Sequence, residues 1–181
     1  GGSAYANTDW EIAAIRTPGA TNAVPTSMVS AYSISDTEIE VTYSGDLTAV
    51  DIADYSLLGT AATFASATLD AADASLVHLV VSAAIAGDAV TDTLLDAALT
   101  GSYEFLAGIT PINLTNSLNP GGTIAQGVTG TFAGLVTAND AYNNVWINDN
   151  NEAYMGILVY DYNFDGLVAV GDEIMFTADL D

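Results

Sequence analysis

EIEVTYSGDL, residues 38–47, decides how the chain is to be read. Ile39, Val41 and Tyr43 alternate with Glu38, Glu40 and Thr42, and the run stops at Ser44-Gly45-Asp46. A period of two puts every apolar side chain on one face of an extended backbone, so this is a half-buried strand ending in a turn. The same pattern recurs downstream. In SLVHLVVS, residues 75–82, apolar residues fall on both faces, as in the central strand of a sandwich. GVTGTFAGLVTA (127–138), NNVWINDN (143–150) and AYMGILVYDY (153–162) read as further strands. So does EIMFTADL (173–180), with Ile174, Phe176, Ala178 and Leu180 on one face. Helix signals are scarce: TAVDIADY (48–55) and DTLLDAAL (92–99) have room for short helical turns only. The fold class is all-β.

Charge excludes several functions. The 181 residues hold 23 acids against one base, Arg16, with no lysine, for a net charge of −22. Such a surface repels phosphate backbones and anionic lipid, because affinity for either comes from Lys and Arg. Neither nucleic acid nor membrane insertion is expected, and no apolar run approaches the ~18 residues of a spanning helix. GGSAYANTDW, the start, has neither the basic nor the apolar region of a signal peptide. Self-repulsion of this size is relieved by salt or divalent cations, which points to a secreted or cell-surface setting. Cysteine is absent, so thiolate chemistry and disulfides are excluded. Without lysine there is no Schiff base and no isopeptide cross-link.

Composition changes near Pro111, where INLTNSLNPGGT breaks the strand pattern. The expected organisation is an N-terminal extended segment (1–24), a first β module (25–110), a linker (111–122) and a second β module (123–181). The second module, through NNVWIND, GILVYD and VGDEIMFTA, resembles the first four strands of OB-fold modules found in secreted bacterial proteins, often ahead of extracellular nucleases. SAYSISDTEIEVTYSGDL through SYEFLAGI is similar to a bacterial Ig-like module, and TDWEIAAIRTPGATN to the closing strand of a lamin-tail-type domain. These resemblances imply an Ig-like β-sandwich followed by an OB-like barrel lacking its last strand. They leave two explanations: a piece of a longer surface protein, or a protomer whose sheet is completed by a neighbour.

One stretch has the spacing of a chemical device. In DYNFDGLVAVGDE, Asp161, Asn163, Asp165, the Leu167 carbonyl and Asp172 fall at calcium-loop positions 1, 3, 5, 7 and 12, with Gly166 at the turn. Calcium is the one candidate cofactor. The flanking strands favour the alternative of a corner between strands, and Asp at position 12 reaches a bidentate pose less easily than Glu. The Asn- and Asp-rich runs at 139–144 and 148–152 read as β-turns. His78, alone mid-strand, reads as structural. Tyr142, Trp146, Tyr154, Tyr160 and Tyr162 read first as barrel filling, although exposed they would suit a glycan. Asn113-Leu114-Thr115 and Asp92-Thr93-Leu94 match short glycosylation acceptors.

No pair among the acids stands out as catalytic, so no enzyme is expected. The chain reads as a structural or adhesive surface protein whose partners are copies of itself or neighbouring domains. Four strands in the second module leave an open edge, and residues near 3–16 are a β-prone donor for a neighbouring copy. The alternatives are a non-catalytic targeting region of a larger secreted nuclease or hydrolase, and a carbohydrate-binding module.

Overall fold

The computed structural model describes residues 25–116, 118–122, 126–150 and 153–181; the expected donor segment, with Arg16, lies outside the described residues. The chain forms strands β1 (Met28–Ser35), β2 (Glu38–Tyr43), β3 (Tyr55–Leu58), β4 (Phe64–Leu69), β5 (Leu76–Val81), β6 (Asp92–Asp96) and β7 (Gly101–Ile109). A helical turn α1 (Ile112–Thr115) leads to β8 (Thr129–Asn139), β9 (Asn144–Asn148), β10 (Gly156–Tyr160) and β11 (Glu173–Asp179). Among the described residues no helix is long and apolar enough to cross a membrane.

Two sheets face each other in a sandwich-like, all-β arrangement. One runs β1-β2-β5-β4; the other runs β10-β9-β8-β7-β6-β3, with β11 added to β8. Alternation places Ile39, Val41, Val77, Leu79, Leu94 and Phe105 in a first core. Leu106, Ile112, Phe132, Val136, Val145, Ile147 and Leu180 form a second. The two cores meet at β7. Its first residues are buried on one side only, but Phe105 through Gly108 are all buried. Phe105 faces the first core and the next residue, Leu106, faces the second. β7 and β8 pair in parallel there, through Phe105 with Thr129 and Ile109 with Thr131.

β1 is anchored at this junction. Ser33 Oγ accepts from Gly108 N at 2.7 Å, and Thr131 Oγ1 donates to the Ser33 carbonyl at 2.7 Å. Its other end lies beside the start of β7: a Cβ on Gly101 would sit 3.6 Å from Met28 Cβ. The chain therefore enters β1 beside Gly101, five residues along β7 from Leu106 of the second core, or ~17 Å at ~3.3 Å per strand residue.

DTLLDAAL corrects the expectation of a helical turn, since Asp92–Asp96 is β6, between β3 and β7. Its inward residues are Asp92, Leu94 and Asp96, so acids occupy positions where apolar residues would have announced a strand. TAVDIADY does hold a single 3-10 turn, Ile52–Asp54, capped by Asp51. In the segment read as a linker, α1 buries Ile112 and Thr115.

Buried acids need donors. Asp96 accepts from Tyr43 Oη at 2.7 Å and from Leu99 N at 3.1 Å, and the Tyr43 and Tyr55 hydroxyls lie 3.0 Å apart. This chain ties β2 of one sheet to β3 and β6 of the other, and burial with these bonds pushes the Tyr43 hydroxyl far above its ordinary value. Tyr43→Phe leaves Asp96 short of a donor inside the core, and is expected to cost about 1–3 kcal/mol in chemical denaturation at pH 7.

Asp92 is held differently, by one long bond of 3.3 Å from Ala107 N. Burial, ahead of the Asp88 charge, raises its carboxyl above the usual range despite that bond. The folded state thus holds this proton more tightly than the unfolded chain. Native stability from this group is present below the ordinary carboxylate value and is lost as pH rises through the raised one. Asp92→Asn is accordingly expected to raise the melting midpoint at pH 7, with the gain shrinking as pH falls through the carboxylate range.

Candidate functional site

The second core is open along one side. β10 pairs with β9 and β11 with β8, and neither has a second partner among the described strands. Their free edges face each other across a cleft of about 730 Å³. Alternation makes its floor apolar. Ile157 and Val159 of β10 and Phe176 of β11 line it, with Leu180 just beyond β11. Ile112 of α1 and Phe164 complete it from segments outside the strands. The Phe164 and Phe176 rings lie 6.1 Å apart, and Phe176 in turn stacks on buried Phe132 at 5.6 Å.

The ends of the cleft are polar. Asn116 Nδ2 donates to the Tyr154 and Gly156 carbonyls at 3.3 and 3.4 Å, closing part of the β10 edge. Asp161 lines the cleft just past the other end of β10, Asp179 ends β11, and Asp181 lies beyond it. An unpaired strand edge presents a row of backbone donors and acceptors, and two such edges over an apolar floor form a seat for one more strand.

The candidate calcium residues fall in the connection from β10 to β11. Asp161 Oδ1 accepts from Asn163 N at 2.9 Å, and Asp172 Oδ2 from Ala169 N at 2.8 Å. Asp165 Oδ2 accepts from Asn143 N at 3.3 Å, while its carbonyl takes Asn139 Nδ2 at 2.7 Å. Phe164–Gly166 is a 3-10 turn closed by Leu167 N on the Phe164 carbonyl. Asp161 and Asp172 each accept from an amide of the corner, and Asp165 accepts from the turn at 139–144. Among the described residues no three His, Cys, Asp or Glu side chains gather as a metal-holding group.

Other readings have definite outcomes. Asp140 Oδ1 accepts from Tyr142 N at 2.8 Å, in a turn where Ala141 and Asn143 have φ of 58° and 73°. Asn and Asp there do turn chemistry. Residues 151 and 152 lie outside the described residues. His78 sits mid-strand in β5, its two ring nitrogens 3.1 Å from Glu38 and 3.4 Å from Asp70. Thr93 is paired between β3 and β7, and Thr115 is buried with its hydroxyl on the Ile112 carbonyl.

The aromatic residues correct the expectation that they fill the barrel. Val145 and Ile147 are fully buried, so the strand alternation turns Trp146 outward. Tyr142, Tyr154, Tyr160 and Tyr162 are also exposed. Phenylalanine and aliphatic residues form the core instead. Sequence reasoning missed Ile112 and Phe164, whose only signal is a single apolar residue in a polar segment.

No protein-family model, curated protein or solved structure matches the chain. The cleft's chemistry is therefore read from its own residues.

A strand-corner role for the 161–172 loop predicts the same melting temperature in millimolar calcium and in chelator. Mass action would raise the midpoint if the ion occupied the loop. A calcium-dependent rise of several degrees would assign it to the metal.

Proposed function

We propose that the protein is a non-enzymatic, extracellular structural component of a bacterial surface that assembles head-to-tail by β-strand donation. On this reading the first core belongs to an Ig-like sandwich and the second to an OB-like barrel that is one strand short. The observation that carries it is the cleft between β10 and β11, two facing strand edges over an apolar floor. The donor is the β-prone segment near residues 3–16 of a second copy.

The donor segment precedes Met28, which lies at the pole of the first core far from the junction with the second. On this reading the donor enters the cleft of another copy and leaves its own for the next. Donor and acceptor are then different surfaces of one chain, a heterologous contact that propagates as a filament unless its rotation closes a ring. The net charge of −22 suits a salty exterior, where screening lets like-charged copies approach.

Deleting residues 1–16 is expected to abolish fibres in electron micrographs of the purified protein while cooperative unfolding of the remaining chain persists. Fibres that survive the deletion would overturn donation by this segment.

A further inference from the structure

We infer that the incoming strand lies antiparallel to β11 and parallel to β10, with Trp10 and Ile12 turned onto the cleft floor and Arg16 brought opposite Asp172 beyond the cleft's end. This rests on the strand-donation reading and specifies how the donor sits.

The orientation follows from topology. β10 is reached from β8 by two antiparallel steps and β11 by one, so the two edges run in opposite directions. Any strand between them is antiparallel to one and parallel to the other. β11 offers seven residues and β10 five. Antiparallel pairing is the more stable per residue, so it falls on the longer edge.

The face follows from alternation. Ala4, Ala6, Thr8, Trp10, Ile12 and Ala14 share one side of an extended segment, and Tyr5, Asn7, Asp9, Glu11, Ala13 and Ile15 the other. Asp9 and Glu11 cannot be laid on Ile157, Val159 and Phe176 without burying unpaired charge. The even-numbered side therefore faces the floor.

Side-chain volume and charge set the register. Ala178 is the smallest inward residue of β11, so the space for an indole lies opposite it. Trp10 opposite Ala178 places Ile12 opposite Phe176, Ala14 opposite Ile174 and Arg16 opposite Asp172. Shifting by two residues either way sets Arg16 against Ile174 or Val170. Along β11, the one cation of a chain with 23 acids thus meets a carboxylate in only one of these three registers.

Cysteine scanning tests this in a chain that has no cysteine of its own. Directly opposed strand residues have Cα separations that a disulfide spans, while diagonal neighbours lie too far apart. Three double variants pair outward positions of donor and β11: Asp9→Cys with Asp179→Cys, Glu11→Cys with Thr177→Cys, and Ala13→Cys with Met175→Cys. Each is expected to give a ladder of disulfide-linked multimers on a non-reducing gel. Asp9→Cys with Met175→Cys, and Ala13→Cys with Asp179→Cys, are expected to give at least tenfold less. Ladders from the second set alone, or from neither set while wild-type fibres form, overturn the orientation and register but leave assembly standing. Fast-migrating cross-linked monomers in place of ladders place the strand within its own chain and overturn donation between copies. Absence of both cross-links and wild-type fibres overturns donation altogether.

Discussion

β8 determines the shape of everything after residue 110. Its first half is shared between β7 on one side and β11 on the other, and its second half takes β9 in place of β7. The exchange falls between Thr131, the last residue paired with β7, and Leu135, the first paired with β9, and the register with β9 then shifts between Val136 and Ala138. Just before it, Gly134 lets the two backbones close: a Cβ there would lie 2.6 Å from the Asn148 carbonyl oxygen. A bulge beside a close approach bends a strand and sharpens its twist. β9 and β10 curl one way from this bend and β11 the other, and the curl ends with a cleft between them instead of a seam.

That cleft differs from the sheet's other free edges. β1 and β4 end the first sheet and β3 ends the second, and none of them lines the cleft. β10 and β11 face each other, so one added strand would satisfy two rows of backbone groups and cover Ile157, Val159 and Phe176 at once. Burial of apolar surface supplies the drive, at about 25 cal/mol per Å², and backbone pairing supplies the geometry. A chain with charge of −22 gains little from surface attraction to its own copies, which makes a short-range, apolar and hydrogen-bonded contact the suitable kind.

How much was legible in the sequence depended on whether alternation was clean. EIEVTY and EIMFTAD obey period two with apolar residues inward, and they are β2 and β11. β6 was hidden because Asp92 and Asp96 occupy its inward positions, and only the hydroxyl of Tyr43, fifty-three residues from Asp96, makes the second of these tolerable. No local pattern carries that pairing. The aromatic residues misled for a related reason: hydrophobicity says that Trp146 prefers burial, but Val145 and Ile147 outvote it two to one on the opposite face. The acid spacing at 161–172 was visible, whereas two of the groups that hold Asp165 come from the turn at 139–144, Asn143 N on its carboxylate and Asn139 Nδ2 on its carbonyl. They lie 22 and 26 residues from Asp165 in sequence, so no local pattern announces them.

The placement of the two ends of the molecule then bears on assembly more than any single contact does. A donor leaving near the acceptor cleft would close on itself or form a symmetric pair, as isologous contacts do. β1 instead carries the chain from the far pole to the junction, where Ser33 is fixed between Gly108 and Thr131. β1 thereby places the point where residues 1–24 join the sandwich five residues of β7 away from Leu106 of the second core. Between them β7 is buried on both sides from Phe105 to Gly108, which makes one wall serve both cores. A hinge at that wall would have to expose Phe105 and Leu106 together, at the cost of apolar burial in both cores.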